Sequence, residues 1–132
     1  MKSRNDPRHQ HREHLLQQLF SWDFRKDKPH RDIEKIIENI DAIDKKISEG
    51  APMWPIEKMA RVDLAIMRMS VWELYYSGLN TPAKVVVDES VELGKEYGSD
   101  TTYSFVNGAL GAILKKYPVK EEGDVRGIKT EV

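Results

Sequence analysis

Isoleucines at positions 33, 36, 37, 40, 43 and 47 keep an i, i+3/i+4, i+7 spacing, and this stripe constrains the chain more than any other feature. Such a period gathers the isoleucines on one face of an α-helix and conflicts with strand alternation. Glu34, Glu38, Asp41 and Lys45 take the opposite face, and Gly50 supplies the stop signal. A helix this one-sided must be covered by other elements. Leu15, Leu16, Leu19, Phe20, Trp22 and Phe24 recur at helical spacing and predict a first helix over 9–24, followed by the basic loop RKDKPHR. From Ile56 to Tyr76 the chain is apolar almost all round, which predicts a centrally buried helix. Its charged residues, Glu57, Arg61, Asp63, Arg68 and Glu73, are expected to escape at the ends or along a narrow strip. Pro52 and Pro55 bracket Met53-Trp54, a turn expected to plug an apolar gap.

The C-terminal half poses one ambiguity. Thr81-Pro82 is a helix start signal, and Val86, Ser90, Leu93 and Tyr97 carry a helical period to Gly98 despite the strand-like Val85-Val86-Val87. The next segment, YSFVNGALGAIL, contains Asn107-Gly108, a hairpin dipeptide. Val106, Leu110, Ile113 and Tyr117 nevertheless run through it at i, i+4, i+7, i+11, so a last helix to about Tyr117 is expected. Ser104, Gly108 and Gly111 form a small-residue line beside that stripe, read as a close-packing face opposite Ser90 and Gly94, with Asn107 bonding a nearby backbone group. The fold class is all-α.

Composition separates a basic beginning from an acidic remainder. The net charge of −1 combines +4 over residues 1–31 with −5 over the rest, and all four histidines fall in the basic part. A basic arm (1–8) on an acidic body suggests an anionic partner such as nucleic acid. Residues 118–132 read as a polar, flexible tail. No run reaches the roughly 18 apolar residues of a membrane span, and no secretory signal is expected at the N-terminus. The absence of cysteine excludes disulfides and thiolate chemistry and fits a cytoplasmic location.

Catalytic constellations are lacking: no nucleophile elbow, phosphate loop or dinucleotide fingerprint occurs, so a non-enzymatic protein without cofactor is expected. His9, His11 and His14 stand at i, i+2 and i+5, but no acidic ligand lies in register, and metal binding is not expected.

The run PAKVVVDESVELGKEYGSDTTYSFVNGALGAIL resembles the C-terminal signature of the NusB family of bacterial transcription antitermination factors. RVDLAIMRMSVWELYY is similar to the family's preceding helix, with Arg68 and Glu73 at its Arg and Glu positions. HREHLLQQLFSWDF resembles its first helix through Arg12, Leu19, Phe20 and Trp22. Together these cover most of residues 8–114. The resemblance implies a compact helical bundle of two subdomains, here about 9–50 and 53–117 within one domain over 9–117, the first shortened by a missing helix. It implies binding to boxA-type single-stranded RNA together with NusE (the small-subunit ribosomal protein S-ten), within the RNA polymerase antitermination complex of ribosomal RNA operons. Homodimers also occur in the family, and a larger RNA methyltransferase carrying such a domain is not expected. On matched positions the RNA-binding set is Arg4, Arg8, His9 and Arg12 in the arm, with Lys84, Lys95, Tyr97 and Phe105. Phe20, Glu57 and Asp63 match the NusE-facing surface. Where the family often has consecutive arginines this arm reads RHQHR, which implies weaker and more pH-sensitive RNA contact. The alternative is a helical protein-interaction module of the same fold with weak or lost RNA binding.

Overall fold

The computed structural model describes residues 6–119. Arg4 and the tail beyond Val119 lie outside the described residues. Among those described there is no strand, and six α-helices account for most of the chain. Helix α1 spans Pro7–Arg25, so Arg8, expected in a separate arm, belongs to its first turn. Asp6 caps it by accepting the Arg8 N–H at 2.8 Å, and Pro7 follows where a missing N–H does no harm. Lys26, in the left-handed region at φ 56°, ends it with an N–H bond to the Trp22 carbonyl.

The isoleucine stripe forms one buried seam across two helices instead of one. A 3-10 turn (Arg31–Ile33) leads into α2 (Glu34–Glu38), and α3 (Ile40–Gly50) follows after a break at Asn39. There the Asn39 N–H bonds Ile36 O and its side chain donates to Lys35 O at 2.8 Å, an offset the hydrophobic period does not register. Ile33, Ile36, Ile43 and Ile47 are all fully buried.

A second 3-10 turn (Ile56–Lys58) precedes α4 (Arg61–Tyr75), the central helix. It packs against α1, α3, α5 (Ala83–Tyr97) and α6 (Thr102–Lys116), and α6 also lies on α3 and α5. One apolar cluster runs through all of these, with Leu19, Leu64, Ile66, Met67, Leu93 and Leu110 at its centre. Met53 and Trp54 do not plug a gap. They are 85% and 57% exposed, because the prolines hold this turn outside the bundle, and Trp54 only meets the edge of Phe105.

Two ion networks bind the helices, and they contain charges that the sequence placed on the surface. Arg12 on α1 donates to both carboxylate oxygens of Glu73 on α4, at 3.0 and 2.7 Å, and lies 3.8 Å from Glu89 on α5. His9 is buried beside it, with Nδ1 3.3 Å from Glu89 and Nε2 3.2 Å from Glu96. At the other end of α1, Arg68 holds Asp44 of α3 through two bonds of 2.9 Å and Asp23 of α1 through one of 3.2 Å. Arg61 donates to the same Asp23 at 2.8 Å. Arg68 and Glu73 therefore do not escape from α4. They stay buried because each finds an opposite charge on a neighbouring helix, the condition under which buried charges are tolerated.

The small-residue line also falls elsewhere than expected. Ser104, Asn107, Gly108 and Gly111 are exposed, and a Cβ added at Gly108 or Gly111 would meet nothing within 4 Å. The close approaches occur at Gly94, where a Cβ would lie 3.2 Å from the Tyr103 backbone, and at Gly50, where it would lie 2.9 Å from the Ala109 carbonyl. Gly50 thus lets α3 settle on α6 and is not a left-handed stop. Ser90 faces α4, its Oγ 2.5 Å from that of Ser70. The reason is rotational: Val106, Ala109, Leu110 and Ile113 claim the inward side of α6, which turns the glycines to solvent.

Three outcomes follow for urea and thermal unfolding. Gly108→Ala and Gly111→Ala each raise stability by roughly 0.5–1 kcal/mol, the helix-interior difference between the two residues, whereas Gly94→Ala lowers it. Arg12→Ala costs about 3–5 kcal/mol because Glu73 is left buried and unpaired. Burial pushes the Asp23 carboxyl up, but the hydrogen bond from Arg61 and the charge of Arg68 outweigh it and hold the group below its ordinary range. Its stabilising contribution is then complete above the unfolded value near pH ~3.9 and is lost as pH falls through the lower folded value. Asp23→Asn should accordingly flatten the acid limb of the stability curve below about pH 4.

Candidate nucleic-acid and partner interface

The expected RNA-binding residues separate into an inward and an outward group. Arg8 is outward, its side chain 77% exposed and paired with Asp6 at 3.1 Å. Arg12, one turn on, was expected to bind RNA alongside it, but the guanidinium turns into the bundle to meet Glu73. His9 is inward for the same reason, held between Glu89 and Glu96. A position four residues from Arg8 lies about 40° round the helix, enough at this edge of α1 to pass from solvent to core. His9 and Arg12, expected on an RNA-facing surface, are therefore corrected to buried side chains held by acidic partners.

Tyr97, at the last turn of α5, is exposed and donates its hydroxyl to Glu13 of α1 at 2.6 Å. That bond, with some burial, raises the phenol to about 12, so it stays a neutral donor at ordinary pH. It also fastens the end of α5 to α1 beside the His9 cluster. Lys95 is exposed, with Nζ 5.5 Å from the centre of the Tyr103 ring. Lys84 is exposed at the start of α5 and pairs with Asp88 at 3.3 Å. Phe105 is only partly open and packs on the core. Tyr103, two residues earlier and exposed, is the ring that points outward, a position the sequence reading passed over. The alternation of exposure around α6, visible in the Val106–Leu110–Ile113 stripe, is the signal that could have distinguished them.

Between α5 and α6 lies an open groove of about 760 Å³ lined by Val91, Glu92, Lys95, Tyr103, Ser104 and Asn107. Its floor is partly apolar and its rim carries both signs of charge. Among the described residues the Asn107 side chain makes no hydrogen bond, contrary to its expected structural role; it lines this groove instead.

The expected partner surface is less coherent. Phe20 is half-buried on the core and meets the 63% exposed Phe24 edge-on at 4.9 Å. Glu57 is exposed on the 3-10 turn before α4, beside a cleft that also includes Asp23, Lys26 and Arg61. Asp63 is partly buried and accepts the Thr102 hydroxyl at 2.8 Å, which fixes the start of α6 to the start of α4. Thr102 in turn accepts the Ser99 N–H, so the SDTT loop is closed by Asp63. Among the described residues no helix is long and apolar enough to cross a membrane.

Comparison with known proteins gives this geometry a context. The sequence profile of the NusB family matches residues 30–115. A protein named transcription antitermination protein NusB from Chloroflexus aggregans is 42% identical over 83 residues, covering 62% of this chain and 55% of its own length. Its namesake from Syntrophotalea carbinolica is 47% identical over 83 residues, covering 63% and 53%. The chain thus spans little more than half the length of these curated relatives. A solved structure of T. maritima NusB superposes with a TM-score of 0.76 at 29% identity, over 88% of this chain and 94% of that one. The profile runs from His30, at the end of the basic loop, through α2 to α5 and into the last turn of α6, with α1 outside it, and on that match the chain belongs to the NusB family.

Proposed function

We propose that this chain is a transcription antitermination factor that binds boxA-type single-stranded RNA together with NusE and acts within the RNA polymerase antitermination complex. The observation that carries the reading is the family match over residues 30–115, with relatives bearing the antitermination name. The surface is consistent with it in a reduced form. Arg8 offers an exposed guanidinium paired with Asp6, Lys84 and Lys95 offer ammonium groups, and Tyr97 and Tyr103 offer exposed rings. Phosphates need the cations, and unstacked bases need the rings, at about 1–3 kcal/mol per stacked base. Arg4 would add to the arm, and Phe105 would contribute through its open edge.

For NusE, the proposed contacts are Phe20 with its neighbour Phe24, and Glu57. Asp63 acts more by holding the SDTT loop than by direct pairing, since its carboxylate is already engaged. An exposed carboxylate toward a basic ribosomal protein chiefly speeds encounter and adds modest affinity. A second reading, a protein-interaction module with weak or lost RNA binding, is favoured by the inward turn of His9 and Arg12, which removes an arginine and a histidine from the arm's surface.

Gel shifts and calorimetry with boxA RNA, with and without NusE, test both. The first reading expects NusE to strengthen RNA binding and salt to weaken it. Arg8→Ala should reduce the slope of log K against log salt by roughly 0.7, the value for one phosphate contact on a single strand. The absence of any ternary complex at low salt would sink the proposal. Intact NusE binding with RNA affinity indifferent to Arg8→Ala and Lys95→Ala would select the second reading.

A further inference from the structure

His14 is distant in sequence from His30 and Asp32, but the three meet where α1 passes the 3-10 turn that opens α2. His14 Nε2 lies 2.8 Å from Asp32 Oδ2 and His30 Nδ1 lies 3.6 Å from the same oxygen. The two imidazoles stand nearly perpendicular with centroids 5.3 Å apart. One donor atom from each residue lies within 4.8 Å of the other two. All three side chains are 38–41% exposed, so an ion and its water can reach them.

We infer that these residues form a binding site for a divalent transition-metal ion of the zinc type, with two imidazoles and one carboxylate as protein ligands and solvent in the remaining positions. Zinc takes His nitrogen and carboxylate oxygen at about 2.0–2.2 Å, so neighbouring donors in a tetrahedron stand roughly 3.3 Å apart. The separations of 2.8 and 3.6 Å fall on either side of that value. Two imidazoles among three ligands favour zinc, nickel or copper over calcium or magnesium, which prefer oxygen.

The supports are already placed. His14 sits between the buried Arg12 and Leu15 on a regular helix, and Ile33, fully buried, anchors the turn carrying the other two ligands. The Asp32 N–H donates to His30 Nδ1 at 3.0 Å, which orients that ring; a metal bound at Nδ1 takes over this lone pair. The ion would thereby clip α1 to the end of the basic loop and the 3-10 turn that follows it, through His30 and Asp32. The histidines grouped by sequence, His9, His11 and His14, do not share a site. His9 belongs to a separate cluster with Glu13 and Glu96, already committed to packing.

The test uses the untagged full chain with ZnCl2 or CoCl2 alone, followed by calorimetry, thermal unfolding and visible absorption. The expected result is a single bound Zn2+, a melting temperature that rises with metal and falls back with chelator, and a Co2+ spectrum of nitrogen and oxygen ligation. His14→Ala, His30→Ala and Asp32→Asn should each weaken Zn2+ binding at least about tenfold with unchanged helix content, and His11→Ala should not. His30→Ala serves where His14→Ala disturbs the helix, since His30 lies on the surface. Wild-type binding no tighter than that of the triple variant overturns the inference, as does binding that survives His30→Ala and Asp32→Asn but is lost in His11→Ala.

Discussion

The bidentate pair between Arg12 and Glu73 is the interaction on which the arrangement of helices depends. It crosses from α1 to the central helix α4, and its second guanidinium edge approaches Glu89 on α5. No close backbone packing joins α1 to α5 to the extent seen between α5 and α6, so side chains supply the link. His9 and Tyr97 extend it, through Glu89, Glu96 and Glu13. Apolar contact alone leaves a helix free to rotate or slide by small amounts. A planar fork against a carboxylate fixes both angle and register. Arg68, Asp44 and Asp23 repeat the device at the far end of α1, so that helix is pinned at two points to α4.

This architecture has a consequence for the surface. Cations spent on holding α1 in place cannot also meet a polyanion, and the basic beginning of the chain is less basic outside than its composition suggests. What faces solvent is Arg8, a few lysines each near an acid or a ring, and two exposed tyrosines. Any nucleic-acid contact on this face would rest more on stacking than a count of arginines implies, and a partner supplying further cations would complete it. The proposed cooperation with NusE fits that balance, since a shared surface needs fewer charges from each component.

Much of the fold was legible in the sequence because it is written in local periodicity. The isoleucine seam, the apolar surround of α4 and the Val106–Leu110–Ile113 stripe each specify a helix and its inward face without reference to anything distant. The break at Asn39 was not legible, since an offset of one residue preserves the buried isoleucines on both sides. The reading of Gly108 and Gly111 as packing glycines failed for a related reason: residue size suggests a close approach but does not say which side of the helix the partner occupies. Arg12, His9 and Asn107 show the same gap among site residues. Their chemistry is visible in the letters, their direction is not.

Taken alone, the sequence determined the all-α class, most helix boundaries to within a few residues, and the membership of the core. Hydrophobic burial is periodic and additive, so it survives projection onto one dimension. The tertiary structure alone decided which charges are structural and which are free, and which histidines meet. His14 joins His30 and Asp32, while His9 joins Glu89 and Glu96, because polar interactions act over only a few ångströms and between particular atoms. Pairings of that range depend on how helices distant in sequence cross, and a crossing leaves no periodic trace in the chain.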